Sequence, residues 1–212
     1  SHFTPSYMPW DERLCAVPNG DLFKVLKSGR ASVVTDEIDT FTENGILLKS
    51  GRELDADIIV TATGLNVQML GGMQLFVDGQ PRELQDQMTY KAVLVEDIPN
   101  LAWIVGYTNA SWTLKSDIAA RYLCRLFEHM AANGHTVATP HDIENSRLDV
   151  GMFDQLNSGY VQRAKHTLPR QGSTHPWKVL MDYEQDTKML LDDPVDDGLL
   201  EFDRAAVGAG TT

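Results

Sequence analysis

The sequence predicts an α/β fold on the basis of three observations. A continuous apolar run at Asp57–Thr61 is typical of a strand buried on both faces. A second apolar run, Leu101–Val105, ends at Gly106. An amphipathic helix follows it, with apolar residues at steps of three and four. Buried strands that lead into such a helix are the pattern of an α/β domain.

Short elements precede the first buried strand. A helix is predicted from Leu22 to Lys27, because Asn19-Gly20-Asp21 can cap its start. A strand is predicted at Ala31–Thr35, and another at Ile46–Lys49 after an Asn44-Gly45 hairpin turn. Together these elements predict a small antiparallel β excursion, whose chain continues directly into the strand at Asp57–Thr61.

The elements after residue 65 are less regular. Strands are predicted at Leu75–Val77, before an Asp78-Gly79 turn, and at Lys91–Val95. The long helix ends at Asn133-Gly134, and its predicted apolar face consists of Leu114, Ile118, Tyr122, Leu126 and Met130. Weaker signals predict C-terminal helices at 158–166 and 177–191, and disorder at 205–212.

Composition narrows the functional classes. The formal net charge is −12 and the cationic residues are scattered, which argues against a nucleic-acid surface. No apolar run is long enough for a membrane span, and we expect no metal site because the histidines lack ligand spacing. Two cysteines, Cys15 and Cys124, fit a reduced, cytoplasmic setting. The opening Ser-His-Phe-Thr-Pro indicates a chain that begins inside a longer protein.

Two segments share one design, in which a buried strand is followed by a glycine and a polar loop. They are Ile58–Gly64 and Leu101–Gly106. A glycine at such a place lets a ligand approach the main chain, and a helix N-terminus attracts anionic atoms. The loop 106–113 combines hydrogen-bonding side chains with aromatics, which suits a planar heteroaromatic ligand. The alternative is an ordinary strand-to-helix turn with Trp112 packed on the core.

Longer strings resemble one family. D-I-I-V-T-A-T-G resembles the Ala-Thr-Gly motif of flavin-containing monooxygenases, and P-N-L-A-W-I-V-G-Y-T-N-A-S-W-T-L-K-S-D resembles their flavin-domain return strand and helix. H-F-T-P-S-Y-M-P-W-D-E-R-L-C and P-N-G-D-L-F-K-V-L are similar to the Baeyer–Villiger-type branch that includes the ethionamide-activating monooxygenase. The resemblance covers roughly residues 1–190.

The resemblance implies the C-terminal part of a flavoprotein with two dinucleotide-binding domains. Residues 1–63 would complete the nicotinamide-binding domain, 64–135 the FAD-binding domain, and 136–212 would form a helical or irregular extension. No Gly-x-Gly-x-x-Gly loop occurs in the sequence, so the family's phosphate-binding loops would lie upstream of Ser1. We therefore expect the isolated fragment to be inactive and to hold FAD weakly.

The resemblance also implies FAD and NADPH as cofactors. Arg13 matches the family's active-site arginine, although Glu12 before it departs from the basic or neutral residue common in relatives. The implied cofactor contacts are Thr63, Gly64, Gly106, Asn109, Trp112, Thr113 and Leu114.

The implied reaction uses O₂, which adds to the reduced flavin as a peroxide that attacks a ketone, thioether or thioamide-type substrate. Variable loops line the substrate pocket in this family. Four apolar residues of such loops are candidates here, and each also has an ordinary interpretation as core: Met69, Phe76, Met152 and Phe153.

Two other interpretations remain open at this point. A related flavin disulfide reductase or amine oxidase shares strands of the Ala-Thr-Gly type, although no redox cysteine pair is present in this chain. A non-catalytic interaction domain with the same fold is the third possibility.

Overall fold

The computed structural model describes residues 2–4, 7–8 and 16–204, and the chain divides into two compact units, residues 1–65 and 66–212. In its described residues, the first unit contains one helix, α1 (Asp21–Lys27). It also contains a three-stranded antiparallel sheet of order β1-β2-β3, formed by Ile38–Phe41, Gly45–Leu48 and Glu53–Asp55. The predicted helix and the predicted antiparallel excursion are both confirmed.

Gly45 opens β2 for a reason other than turn geometry. A Cβ atom at this position would lie 1.9 Å from the carbonyl oxygen of Leu54 on β3. The hairpin predicted at Asn44-Gly45 is confirmed, since β1 and β2 pair antiparallel. The glycine is required because β3 approaches the backbone of β2 too closely for any side chain.

Two strand predictions in this unit are wrong. Residues 31–35 form a loop, and the first strand begins only at Ile38. Residues 57–61 belong to no strand, and Ile58 and Val60 are 81% and 82% exposed. Among the described residues of this unit, no strand pairs with the segment, so its apolar side chains face solvent instead of a sheet.

The second unit combines helices with small antiparallel sheets. Its helices are α2 (Trp112–Asn133), α3 (Gly159–Ala164) and α4 (Tyr183–Thr187), which continues into a π-helical turn, Lys188–Asp192. Two 3-10 turns span Met69–Gly72 and Leu84–Asp86. The strands are β4 (Leu75–Val77), β5 (Gln80–Arg82), β6 (Thr89–Tyr90), β7 (Leu94–Val95), β8 (Val137–Pro140), β9 (Arg147–Gly151), β10 (Arg170–Gly172) and β11 (Leu200–Asp203).

These strands form four antiparallel pairs: β4–β5, β6–β7, β8–β11 and β9–β10. The predicted turn between β4 and β5 is confirmed, and Asp78 and Gly79 adopt φ angles of 51° and 76°. Such left-handed angles at both central positions are those of the two-residue hairpin turn that Asp-Gly favours. The observed fold is thus mixed helix and strand, with small antiparallel sheets.

Helix α2 organises the core of this unit. Four residues of its predicted apolar face are buried, namely Ile118, Tyr122, Leu126 and Met130. They pack in one cluster with Tyr90 and Trp177, whose rings meet edge to face at 5.4 Å. Gly134 ends the helix as predicted, with a left-handed φ of 69°.

The predicted apolar face is wrong at one end. Leu114 is exposed, and Lys115 takes its place on the buried side of α2. The spacing explains this, because Lys115 precedes Ile118, Ala119 and Tyr122 by three, four and seven residues.

Three other element predictions also need correction. Residues 101–105 form no strand, and only Ala102 makes a bridge, to Leu94 of β7. Trp103 is buried but Ile104 is 45% exposed, so this segment is covered on one face only. The strand predicted at 91–95 shortens to β7, and the helix predicted at 177–191 begins only at Tyr183. The prediction at 205–212 lies outside the described residues.

None of the described helices has the length and apolarity needed to cross a membrane.

We expect Ile118→Ala to lower the free energy of unfolding by about 2–5 kcal/mol, because it removes a fully buried side chain from a packed core. Glu128→Ala, at an exposed position of the same helix, is the control and should change it by less than about 0.5 kcal/mol. Urea denaturation measures both. Equal effects of the two variants would contradict the buried face assigned to α2.

Glu96 makes stability depend on pH. Burial raises its pKa above the ordinary 4.5, although the Met88 N–H and Arg147 bind its carboxylate. The folded protein therefore holds this proton more tightly than the unfolded chain, and stability falls as pH rises from 4.5 through the raised pKa.

We expect the stability advantage of wild type over Glu96→Gln to be largest below pH 4.5 and to shrink toward neutrality. Urea unfolding across this range measures the difference. Glu83→Gln, at an exposed carboxylate, is the control and should parallel the wild type. A difference between wild type and Glu96→Gln that does not vary with pH would disprove the assignment.

Candidate cofactor site

The loop 106–113 leads into the N-terminal turn of α2. Ser111 is the N-cap residue, but its side chain makes no capping bond to the helix backbone. Its Oγ lies 2.8 Å from Oγ1 of Thr113 instead. Trp112 and Leu114 in the first turn are 48% and 38% exposed. A long helix thus presents the positive end of its dipole on an exposed surface, where it favours anionic or electron-rich groups.

Gly106 determines where the indole of Trp112 lies. A Cβ atom on Gly106 would come within 2.1–2.3 Å of three indole atoms, so the ring fills the space that a side chain would need. Gly106 itself is buried. The sequence predicted that the absence of a side chain at Gly106 lets a ligand approach the main chain. In the structure, the indole of Trp112 occupies that space.

Asn109 attaches the exposed part of the loop to the segment before α4 by a hydrogen bond. Its Nδ2 donates a hydrogen bond of 3.0 Å to the backbone carbonyl oxygen of Met181, which precedes α4. This attachment was not predicted from the sequence. Asn109 therefore holds the loop in place, and a cofactor contact by its side chain stays a prediction.

A buried ion pair lies beneath the loop. Nζ of Lys115 is 2.9 Å from Oδ1 of Asp186, and both side chains are almost fully buried. The Lys115 ammonium also lies 5.7 Å from the centroid of the Tyr107 ring. Burial lowers the pKa of Lys115, and the neighbouring Asp186 carboxylate opposes that change. Burial raises the pKa of Tyr107, and its interaction with Asp186 adds to the rise.

Lys115 and Asp186 were missed as site residues, although part of the signal was present in the sequence. Lys115 shares a helix face with Ile118 and Tyr122, and a cation on an apolar face requires a buried anionic partner. No local pattern, however, identifies Asp186 as that partner.

The first unit holds two other predicted contacts. Thr63 and Gly64 are exposed and lie outside the helices and strands of this unit. Gly64 has a φ of 96°, a conformation that favours glycine, and no heavy atom lies within 4 Å of the position its Cβ would occupy. The structure thus leaves room for a ligand at Gly64. The predicted catalytic residue Arg13 lies outside the described residues.

The predicted substrate-pocket residues separate into two groups. Met69 and Phe76 line an open groove of about 350 Å³ in the second unit. Met152 is buried in an apolar cluster with Trp103, and Phe153 packs against the same cluster. Met152 and Phe153 therefore contribute to the core. In the described part of the chain, no three His, Cys, Asp or Glu side chains gather to hold a metal ion.

Comparison with known proteins identifies close relatives. The chain is 72% identical over 206 residues to a Mycobacterium tuberculosis protein named as an FAD-containing monooxygenase, MymA. It is 52% identical over 203 residues to a protein of Acinetobacter baylyi named as an FAD-binding monooxygenase, AlmA. It is 45% identical over 209 residues to the FAD-containing monooxygenase EthA of Mycobacterium tuberculosis.

These matches cover 96–99% of this chain but only 41–42% of each relative. The chain thus spans less than half the length of these relatives and matches their C-terminal portion, which confirms the resemblance to flavin-containing monooxygenases. No protein-family model and no solved structure matches it.

We expect Gly106→Ala to displace the Trp112 indole and to lower the free energy of unfolding by about 1–3 kcal/mol, because the added methyl overlaps the ring. Urea denaturation measures the loss. The double variant Gly106→Ala/Trp112→Ala removes the overlapping ring, and the alanine at 106 should cost less in that background. If it costs as much without the ring, the contact between Gly106 and Trp112 is not what requires the glycine.

Proposed function

We propose that this chain is the C-terminal part of an FAD-dependent monooxygenase that uses NADPH and O₂ to oxygenate a small ketone, thioether or thioamide-type substrate. The observation that carries the proposal is the exposed, side-chain-uncapped N-terminus of α2, which lies in a sequence 72% identical to a protein named for FAD.

The residues present fit a flavin. Reduced flavin carries negative charge on its pyrimidine side, and an exposed helix N-terminus stabilises such charge by ~0.3–1 kcal/mol. The indole of Trp112 offers a partly exposed flat surface beside that turn. We propose that Gly106, Asn109, Trp112, Thr113 and Leu114 contact the isoalloxazine.

When bound, FAD would supply the electron-transfer and oxygen chemistry. The residues of this chain would orient the ring and keep water from one of its edges. Thr63 and Gly64 of the first unit are proposed as further contacts, because Gly64 leaves its backbone open. Arg13 is proposed as the catalytic cation, on its match to the family motif alone.

The exposed apolar segments support the proposed domain organisation. Ile58, Val60 and Ile104 are exposed in two segments that are rich in strand-forming residues. Among the described residues, no strand pairs with 57–61, and 101–105 meets β7 through the single bridge from Ala102 to Leu94. Since the relatives are more than twice as long, we propose that upstream strands pair with both segments. Residues 1–63 would then complete a nicotinamide domain and 64–135 an FAD domain, with 136–212 as an extension.

The test uses the protein expressed from its complete reading frame. We expect it to purify with bound FAD and to oxidise NADPH in the presence of O₂, whereas the 212-residue chain alone should hold FAD weakly.

Thr113→Glu should favour the helix, because an anion at the first turn interacts well with the helix dipole, yet it should disfavour reduced flavin through charge repulsion. The ratio of reduced to oxidised FAD affinity should fall about two- to fivefold, which is measured as a lower midpoint potential.

Ala120→Glu, which adds the same charge two turns further along an exposed face, is the matched control and should leave the potential unchanged. An identical shift in both variants would show that the flavin does not face the start of α2. A complete protein that binds no FAD would refute the proposed function itself.

A further inference from the structure

We propose that the buried Lys115–Asp186 pair is a clamp that fixes the loop 106–113 against the segment 181–186, and that Lys115 is thereby a positioning residue for the cofactor. That the positioned ligand is FAD rests on the proposed function. The clamp itself rests on contacts within the second unit alone.

Three contacts join the loop and the helix start to this segment. Asn109 donates to the carbonyl of Met181, Lys115 pairs with Asp186, and the rings of Tyr107 and Tyr183 meet edge to face at 6.4 Å. The contacts engage the loop near its first residue, at its exposed middle and just beyond its end. A loop held at three such points has little freedom to shift relative to α4.

The segment is itself well anchored. Asp182 caps α4 through a 2.9 Å bond that its Oδ1 accepts from the N–H of Gln185. The π-helical turn that follows α4 buries Met189 and Leu190 in the same core as α2. The core therefore fixes the position of α4 and of Asp186 on it. The ion pair in turn fixes the position of the Lys115 side chain.

The free-energy cost of burying two charges indicates that the Lys115–Asp186 pair positions the loop 106–113 more than it stabilises the fold. Removing an ammonium and a carboxylate from water is costly, and well-packed apolar residues often stabilise a fold as well as such a pair does. The pair does, however, join two elements, because Nζ of Lys115 on α2 lies 2.9 Å from Oδ1 of Asp186 on α4. Separating the partners leaves each charge buried without compensation, so the two side chains favour staying together.

A second buried lysine provides a matched control. Nζ of Lys91 lies 3.2 Å from Oδ2 of Asp197, and the lysine side chain is as deeply buried as that of Lys115. Its ammonium also contacts Tyr90, Tyr122 and the carbonyl of Pro194, none of which belongs to the loop. Loss of this pair should damage the fold without acting on the loop directly.

The experiment compares Lys115→Met with Lys91→Met in the full-length protein. Both variants should lower the melting temperature. Only Lys115→Met should speed hydrogen exchange of the backbone amides of 106–113, and only it should raise the dissociation constant of FAD, by about tenfold or more, and alter the flavin absorption spectrum. Asp186→Asn keeps the volume and an acceptor but removes the charge, and it gives the same readouts if Lys115→Met does not fold.

The outcomes distinguish a failure of the proposed clamp from a failure of the proposed function. If Lys115→Met and Lys91→Met give the same exchange in the loop and the same FAD affinity, the pair is only a structural element and the inference is wrong. If the wild-type protein binds no FAD, the proposed function fails, and the exchange of 106–113 still decides whether the clamp exists.

Discussion

Burial of one face of α2 is the constraint on which the second unit depends. Ile118 and Tyr122 can leave water only if the helix lies against Tyr90 and Trp177, and this fixes the axis of the helix. Once the axis is fixed, the place and direction of the N-terminal turn follow. An exposed helix end that is held by a rigid core is better suited to orient a ligand than one on a free loop.

Two lysine side chains are buried in this unit, and each forms an ion pair with a carboxylate. Lys91 meets Asp197 together with two tyrosine rings, and Lys115 meets Asp186 beside Tyr107. Asp186 pairs with Lys115 of α2, and Asp197 pairs with Lys91 between β6 and β7, so the C-terminal part of the chain is held to the core by charge as well as by apolar contact. Residues 181–186 therefore belong to the structural support of the loop, whereas the sequence predicted a helical or irregular extension over 136–212.

Local patterns predicted what local interactions decide. The buried face of α2 from Ile118 to Met130, the glycine that ends this helix and the Asp78-Gly79 hairpin all depend on neighbours within a few residues. The strands expected at 57–61 and 101–105 were predicted from apolarity alone, and a strand exists only where another strand supplies its hydrogen bonds. The loop 106–113 was located correctly before α2, but its attachments to Met181 and Asp186 link residues that are distant in sequence.

The uncovered run at Ile58, Ile59 and Val60 has a consequence for how this polypeptide behaves in solution. A β-branched stretch that pairs with no strand among the described residues offers its N–H and C=O groups to any second molecule that can supply a strand. Intermolecular pairing would then compete with correct assembly, and its extent would grow with protein concentration. The strong negative charge of the chain, which repels like molecules, acts against that self-association and weakens as salt is added.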